Sequence, residues 1–429
     1  MTPGAPSGPA GATVLPGFLD AHVHLALIDP APLIAGGIAR VLDLGGWTPG
    51  SLESASPESP SSRGSGEPQG SPSSPPPVEV DPRAGRTRPQ VANSPRAGAG
   101  AGAAGPAGAG LPEAVSAAQF LAAPGGYPSG RSWAPAGSVR PVARATDAAG
   151  AVDAQHAAGA SVIKVTLNSA AGPVLPRDVL AAIVARAHER GMPVFVHAEG
   201  AGQALRAFRA GADALAHTPF SELLDDALVA AMAGRMAWIS TLDIHGYGEP
   251  DDDFDRAVGN LRRFHRAGGR VLYGTDLGNG PLPVGLNRRE IDALLSAGLA
   301  GDDVIRALTA EHLGRFRNVL RAPDRPGPAR QGPDRKGPDR AGPGRLVTLL
   351  SGERPADPDA FSAWLCTARA VEPAEAAAAV AAVESGESGE SAGTAGTAGT
   401  AGTAPVESGR RNGHSGPEQS VGGAPPPGL

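Results

Sequence analysis

The chain has 429 residues, a formal net charge of -6 and only 4% aromatic residues, while 61 glycines and 44 prolines make up nearly a quarter of it. That balance leaves no electrostatic footprint for nucleic acid, and the single cysteine, Cys366, excludes an intrachain disulfide framework and a cysteine-based metal cluster. No apolar run approaches the ~18 residues of a membrane span, and the opening MTPGAPSGPAGATV lacks the features of a secretory signal, so a cytoplasmic protein without membrane attachment is expected.

In chain order, residues 1–12 read as a disordered leader. LPGFLDAHVHL (15–25) is a proline-glycine turn and a short apolar strand that ends on His22 and His24. Side chains at i and i+2 share one face of a strand, so both imidazoles point the same way and can grip one cation. A solvated pair at a strand end is the alternative. IARVLDLGG (38–46) is a second strand. Residues 48–112 are Ser, Pro, Gly, Arg and Ala with hardly an aliphatic side chain, too little to offset the entropy of ordering, and read as a disordered insertion. VSAAQFLAA (115–123) is a third strand, and the loop APGGYPSGRSWAP (123–135) after it concentrates Tyr127, Arg131 and Trp133.

A regular alternation follows. ASVIKV (160–165) is a β-branched strand carrying Lys164; PRDVLAAIVARAHERG (176–191) has the apolar period and the Pro and Gly boundaries of a helix. MPVFVH (192–197) is a strand ending on His197, GQALRAFRAG a helix, DALAH (213–217) a strand ending on His217, and SELLDDALVAAMAG (221–234) a helix. RMAWIS (235–240) is a strand, with His245 in the loop beyond it. FDRAVGNLRRFHRAG (254–268) is a helix, RVLYGTD (270–276) a strand ending on Asp276, and 287–297 and 301–313 are helical. A five-residue repeat, GPARQ-GPDRK-GPDRA-GPGR, marks 321–345 as a linker, 346–372 is a residual β segment, and 373–429 is a low-complexity tail.

Strands alternating with helices of this length imply parallel βα units, and eight strands over 13–320 imply an α/β fold of (β/α)8 TIM-barrel type. Every unusual residue on these strands lies near a C-terminal end, the rim where barrel active sites are built. His22, His24, Lys164, His197, His217 and Asp276 can therefore meet although they span some 250 positions. His245 falls at the same mouth, able to orient substrate or stabilise an oxyanion, or to serve as a loop residue without a role. Arg131 could clamp a substrate carboxylate while Tyr127 and Trp133 wall a pocket, against plain loop packing. His156, His188 and His265 fall on helix surfaces.

In this order PGFLDAHVH, IKVTLN, VFVHAEG, ALAHTPFSE and LYGTDLG resemble the metal-dependent amidohydrolase superfamily, within it the imidazolonepropionase-like and metal-dependent prolidase-like members with a fourth-strand lysine. The likeness covers about residues 13–47 and 113–320. It implies two divalent ions, often zinc, one on His22 and His24, the other on His197 and His217, with carbamylated Lys164 and Asp276 completing the set. A lysine that has captured carbon dioxide presents a carboxylate on a long stem, which explains a lysine among histidines. A barrel-mouth lysine paired with a carboxylate is the other reading. Asp276 is then the general base and acid, taking the attacking proton and handing it to the leaving nitrogen, or else a turn residue in GTDLG.

The chain departs from the family in two places. Only about a dozen residues precede LPGF, so the front half of the family's β-sandwich is missing, and GRLVTLLSGERPADP (344–358), which looks like its returning strand pair, has little to pair with. The second departure is the 48–112 insertion. The expected activity is hydrolysis of a C–N bond in an amide, cyclic amide or small peptide. The expected partners are that small molecule, no nucleic acid and no membrane, with a homo-oligomer left open. A mononuclear deaminase would use the same histidines and aspartate without Lys164, and a barrel without turnover could serve as a binding or scaffold protein.

Overall fold

The computed structural model describes residues 11–48, 110–310 and 346–385. Most of the leader, of the 48–112 insertion and of the low-complexity tail, and the whole repeat linker, lie outside the described residues.

The chain opens with β1 (Ala12–Pro16), β2 (Phe18–Val23), the short α1 (Pro32–Ala35) and β3 (Ile38–Asp43). After the insertion come β4 (Glu113–Ser116), β5 (Phe120–Ala122), β6 (Val139–Pro141) and α2 (Ala148–Ala157). The alternation runs β7 (Ile163–Asn168), α3 (Arg177–Glu189), β8 (Val194–Glu199), α4 (Gln203–Ala210), β9 (Ala214–Leu215), α5 (Asp226–Ala233), β10 (Ala237–Ile239), α6 (Asp252–Arg266) and β11 (Arg270–Leu272). It ends with α7 (Arg288–Ser296) and α8 (Gly301–Thr309). Helix starts follow side-chain caps rather than apolar period alone: Asp225, Asp251 and Asn287 accept from Leu228 N, Phe254 N and Arg289 N. The 221–234 helix therefore begins at Asp226, later than its apolar pattern suggests.

The parallel strands form a seven-stranded sheet in the order β11-β10-β9-β8-β7-β5-β6 and a three-stranded sheet β2-β3-β4. Backbone hydrogen bonds join the two. Ala21 N donates to Tyr273 O at 2.9 Å beyond β11, Asp276 N to His22 O at 2.8 Å, and Ser161 N, just ahead of β7, to Ser116 O at 2.9 Å. The expected single strand over 115–123 is two strands in different sheets. Ala118 between them has φ +59, a conformation an alanine adopts only at a cost, and is held there by Ser116 Oγ on its N–H and by Gly46 N–H on its carbonyl. Composition gives no sign of that break, because both halves are apolar.

Both faces of the parallel strands are buried, as expected where helices cover a sheet. One face packs against helices in the large core that includes Val165, Val196, Trp238 and Phe264. The other forms a separate inner cluster with Leu19, Leu42, Val162, Phe195, Ala214 and Ile239. Val162 and Lys164 share a face, as do Phe195 and His197, so the polar residues stand directly above this apolar layer.

The C-terminal segment differs from expectation. β12 (Val347–Ser351) pairs antiparallel with β1, from Ala12 opposite Ser351 to Pro16 opposite Val347, and with β13 (Arg369–Val371) on its other side. The returning strands thus find their partner in β1, just ahead of the first parallel strand. Between β12 and β13 lies α9 (Pro358–Leu365), whose Phe361, Trp364 and Leu365 join the large core. Residues expected to open the low-complexity tail form α10 (Pro373–Glu384), started by a proline in its first turn and seated through Ala376 on Leu349 and Val371. Among the described residues no helix is long and apolar enough to cross a membrane.

Candidate metal centre

All six residues singled out on strand ends come together. His22 Nδ1 donates to Ala216 O at 2.8 Å and His24 Nδ1 to Gly45 O at 2.9 Å, which fixes both ring protons on Nδ1 and turns both Nε2 atoms inward. Each Nε2 lies 3.1 Å from Asp276 Oδ1. Lys164 Nζ is 3.4 Å from His22 Nε2. The rings continue as a row: His22 to His217 is 4.7 Å between centroids and His217 to His197 is 4.9 Å. His217 Nδ1 is held by Thr241 Oγ1 at 2.9 Å.

The backbone aims these groups. Asp276 has φ +61, and its N–H bonds His22 O, so the turn after β11 carries its carboxylate toward the imidazoles. Thr241, after β10, is likewise left-handed at φ +43. Such conformations are costly and collect at functional sites.

The electrostatics suit a cation. Burial holds His22 and His217 well below the usual imidazole value, with nearby positive groups adding to it, so both rings are neutral at neutral pH. Burial also works against a charge on His24, but the hydrogen bond and charge of Asp276 outweigh it and raise that ring. Burial draws the Lys164 amine down to about 7 against the opposing charges of Asp276 and Asp43. The Nε2 atoms of His22 and His24 and a carboxylate oxygen of Asp276, within 4.8 Å of one another, call for a proton or a metal ion among them. The donor set therefore fits a divalent ion. His197 and His217 adjoin it without entering that compact group of three.

Sequence reasoning missed four polar side chains. Asp20, fully buried, accepts from His22 N, Thr275 N and Thr275 Oγ1, tying the first strand to the turn after β11. Asp43 accepts from Leu25 N and Gly45 N, fixing the carbonyl that orients His24. Burial pushes both carboxyls up to about 7. Glu199 and Asn168 close the other end: Glu199 Oε2 lies 3.1 Å from His197 Nε2 and accepts from Asn168 Nδ2 at 2.7 Å. An acidic residue inside an apolar strand, as in FLDAH and VLDLGG, is the signal that could have found the first two. The period of two, which puts Glu199 beside His197 and Asn168 on the same strand face as Lys164, could have found the others.

Of the outer residues, Tyr127 stacks on His197 with centroids 4.9 Å apart, and Trp133 lies 6.0 Å from both His24 and Tyr127. The Arg131 guanidinium is 5.9 Å from the Tyr127 ring centre. Burial, reinforced by Asp276 and Glu199, drives the Tyr127 hydroxyl far above its usual value, so it stays a donor. His245 is buried against Phe220 and forms a second group of three with Asp251 and Asp253. His156 and His188 lie on helices as expected, with His188 bonded to Asp213 at 2.7 Å, and His265 faces Asp303 at 3.3 Å.

Three solved structures share the fold over most of their length. A prolidase complexed with N-methylphosphonate-L-proline superposes with a TM-score of 0.52 at 18% identity, covering 84% of this chain and 85% of that one. A Xaa-Pro dipeptidase with bound methionine gives 0.52 at 17% identity, covering 84% and 86%. Aspergillus niger ochratoxinase gives 0.53 at 14%, covering 84% and 82%. The chain shares their fold. No protein-family model and no curated protein matches the sequence.

Proposed function

We propose that this chain is a metal-dependent hydrolase of carbon–nitrogen bonds, with an amide, cyclic amide or small peptide as substrate, working at the mouth of a closed (β/α)8 barrel. The observation that carries it is the convergence of His22 and His24 Nε2 on Asp276 Oδ1, 3.1 Å from each, with a buried lysine 3.4 Å from His22. The fold shared with a prolidase, a Xaa-Pro dipeptidase and an ochratoxinase supports this reaction class.

His22, His24 and Asp276 would hold one ion, His197 and His217 a second, with Lys164 between them. Divalent ions so placed lower the pKa of bound water and polarise a carbonyl. A lysine near neutrality is poised for carbamylation: its neutral amine forms a nitrogen–carbon bond to carbon dioxide, releases one proton and gains a carboxylate. Asp276, fixed through Asn279 Nδ2 on Oδ2 at 2.9 Å, is the group to accept a proton from the attacking water and deliver it to the leaving nitrogen. The Tyr127 hydroxyl remains a donor throughout, and Arg131 supplies positive charge beside it for a substrate carboxylate. Tyr127 and Trp133 exclude water from the histidine row.

Elemental analysis of the purified chain, with assays on amide, lactam and Xaa-Pro panels, tests this reading. About two equivalents of metal and turnover of one panel are expected. Lys164→Ala should lower occupancy and activity, with partial rescue by short carboxylic acids. Full activity in that variant would remove the carbamate from the mechanism. A single tightly held equivalent would favour the mononuclear reading, to which the compact His22, His24 and Asp276 group lends itself.

A further inference from the structure

The loop after β10 holds two residues in costly backbone conformations. Thr241 and Tyr247 are left-handed, at φ +43 and +53, a region that β-branched and bulky side chains rarely enter. Thr241 stands where its Oγ1 holds His217 Nδ1 at 2.9 Å. Tyr247 is flanked by Gly246 at φ +105 and Gly248 at φ +98, a tight reversal around one large side chain. Such strain persists only where the surroundings over-determine it.

Those surroundings run from α7 to the metal centre. Buried Asp243 donates its N–H to Glu290 Oε2 at 2.8 Å, and its carboxylate accepts from Asn287 Nδ2 at 2.7 Å and Arg289 Nε at 2.8 Å. Its carbonyl accepts from Tyr247 N at 2.8 Å, which anchors the reversal. At the other end of the side chain, the Tyr247 hydroxyl donates to Asn279 O at 3.2 Å and lies against Gly280, where any Cβ would run into it. Asn279 grips Asp276 twice, through its N–H on the backbone carbonyl at 3.0 Å and through Nδ2 on Oδ2 at 2.9 Å. The other carboxylate oxygen, Oδ1, is the one 3.1 Å from both His22 and His24 Nε2.

We propose that Tyr247 is a positioning residue for Asp276: its hydroxyl holds the 276–280 turn so that the Asn279 amide keeps Oδ2 and leaves Oδ1 facing the imidazoles. The inference rests on the metal-centre reading above. The terminal torsion of an aspartate is broad and nearly two-fold, so an unrestrained carboxylate exchanges its two oxygens. With Asn279 held in place, one oxygen is kept for the ion and the other for the proton. The loop after β10 then grips both parts of the histidine row's surroundings, Thr241 on His217 and Tyr247, through Asn279, on Asp276.

The test is a double-mutant cycle on the full chain read by Co2+ affinity, which requires no substrate. Asn279→Ala should weaken Co2+ binding by at least about tenfold. Tyr247→Phe keeps the ring over Gly280 and removes only the hydroxyl; it should weaken binding by about threefold to tenfold with the melting temperature unchanged. In the Asn279→Ala background the same change should have no further effect, because the two residues act in series. On any panel substrate that is turned over, Tyr247→Phe should lower kcat and leave KM unchanged. Unchanged Co2+ affinity in Tyr247→Phe, or an equal loss in both backgrounds, would make Tyr247 an anchor of its own loop only. That result overturns this inference and leaves the hydrolase reading intact. Failure of the unmutated chain to bind Co2+ would remove both.

Discussion

Glu290 is fully buried at the start of α7, where its Oε2 accepts from Asp243 N at 2.8 Å, and burial raises its carboxyl from 4.5 to about 7. Below about pH 4 the group is protonated whether the chain is folded or not, and it costs nothing. Between the unfolded and folded values the unfolded chain has already released its proton, so stability falls as pH rises and levels off above about 7, by up to about 3 kcal/mol. Glu290→Gln keeps an acceptor for Asp243 N and removes the charge. Its melting temperature should therefore match the parent near pH 4 and exceed it at pH 8, a difference calorimetry at the two pH values would show. A parallel change at both would mean the carboxyl is not burdened by burial. Asp276→Asn should instead leave the fold intact while reducing kcat by at least about a hundredfold and weakening metal retention, read by kinetics and elemental analysis on one preparation. The site histidines were legible because a period of two on short strands is visible in a string of letters. Asp20, Asp43 and Glu290 were missed, because their partners, backbone N–H groups and the Thr275 hydroxyl, are brought close only by folding.

Elements place the site through close contact. Gly274 lies between β11 and Asp276, and a Cβ there would sit 2.3 Å from Ile239 Cγ2 and 3.1 Å from His22 N. Gly274→Ala should push the first and last parallel strands apart, lowering both the melting temperature and metal affinity, whereas Gly150→Ala on α2, where a Cβ meets nothing within 4 Å, should do neither. Trp238 on β10 lies parallel to Phe264 on α6, centroids 3.9 Å apart, and is fully buried; Trp238→Ala should cost about 3–5 kcal/mol in denaturant unfolding. The order and type of the βα units were legible from periodicity, since α3 and α6 are long and bounded by turn residues or caps. The break at Ala118 was not, because a left-handed alanine between two apolar runs leaves no mark in composition. Nor was α10, whose alanine-rich sequence looks featureless until Leu349 and Val371 give Ala376 something to cover.

At the scale of the molecule, β3 and β4 are adjacent parallel strands with Asp43 opposite Ser116, so the chain between them must return along the full length of a strand. For six residues that is about 20 Å. Replacing residues 50–109 by a flexible linker of about 20 residues should leave melting temperature and metal stoichiometry unchanged; a loss of either would assign the replaced residues a part in the fold or the site. Composition singled out this segment and chain order placed it between the second and third strands; their direct parallel pairing is what the structure adds.

The pairing of β1 with β12 has a consequence for how the chain can be divided. Residues 12–16 lie alongside residues 347–351, and Arg40 reaches from β3 to Gly17 O and Thr309 O beneath that junction. The small sheet is therefore a seam that sews the end of the chain to its beginning, independently of the covalent path through the arginine-rich repeat. A nick in that repeat would yield two pieces that travel together, and the pieces expressed apart should find each other and rebuild the assembly.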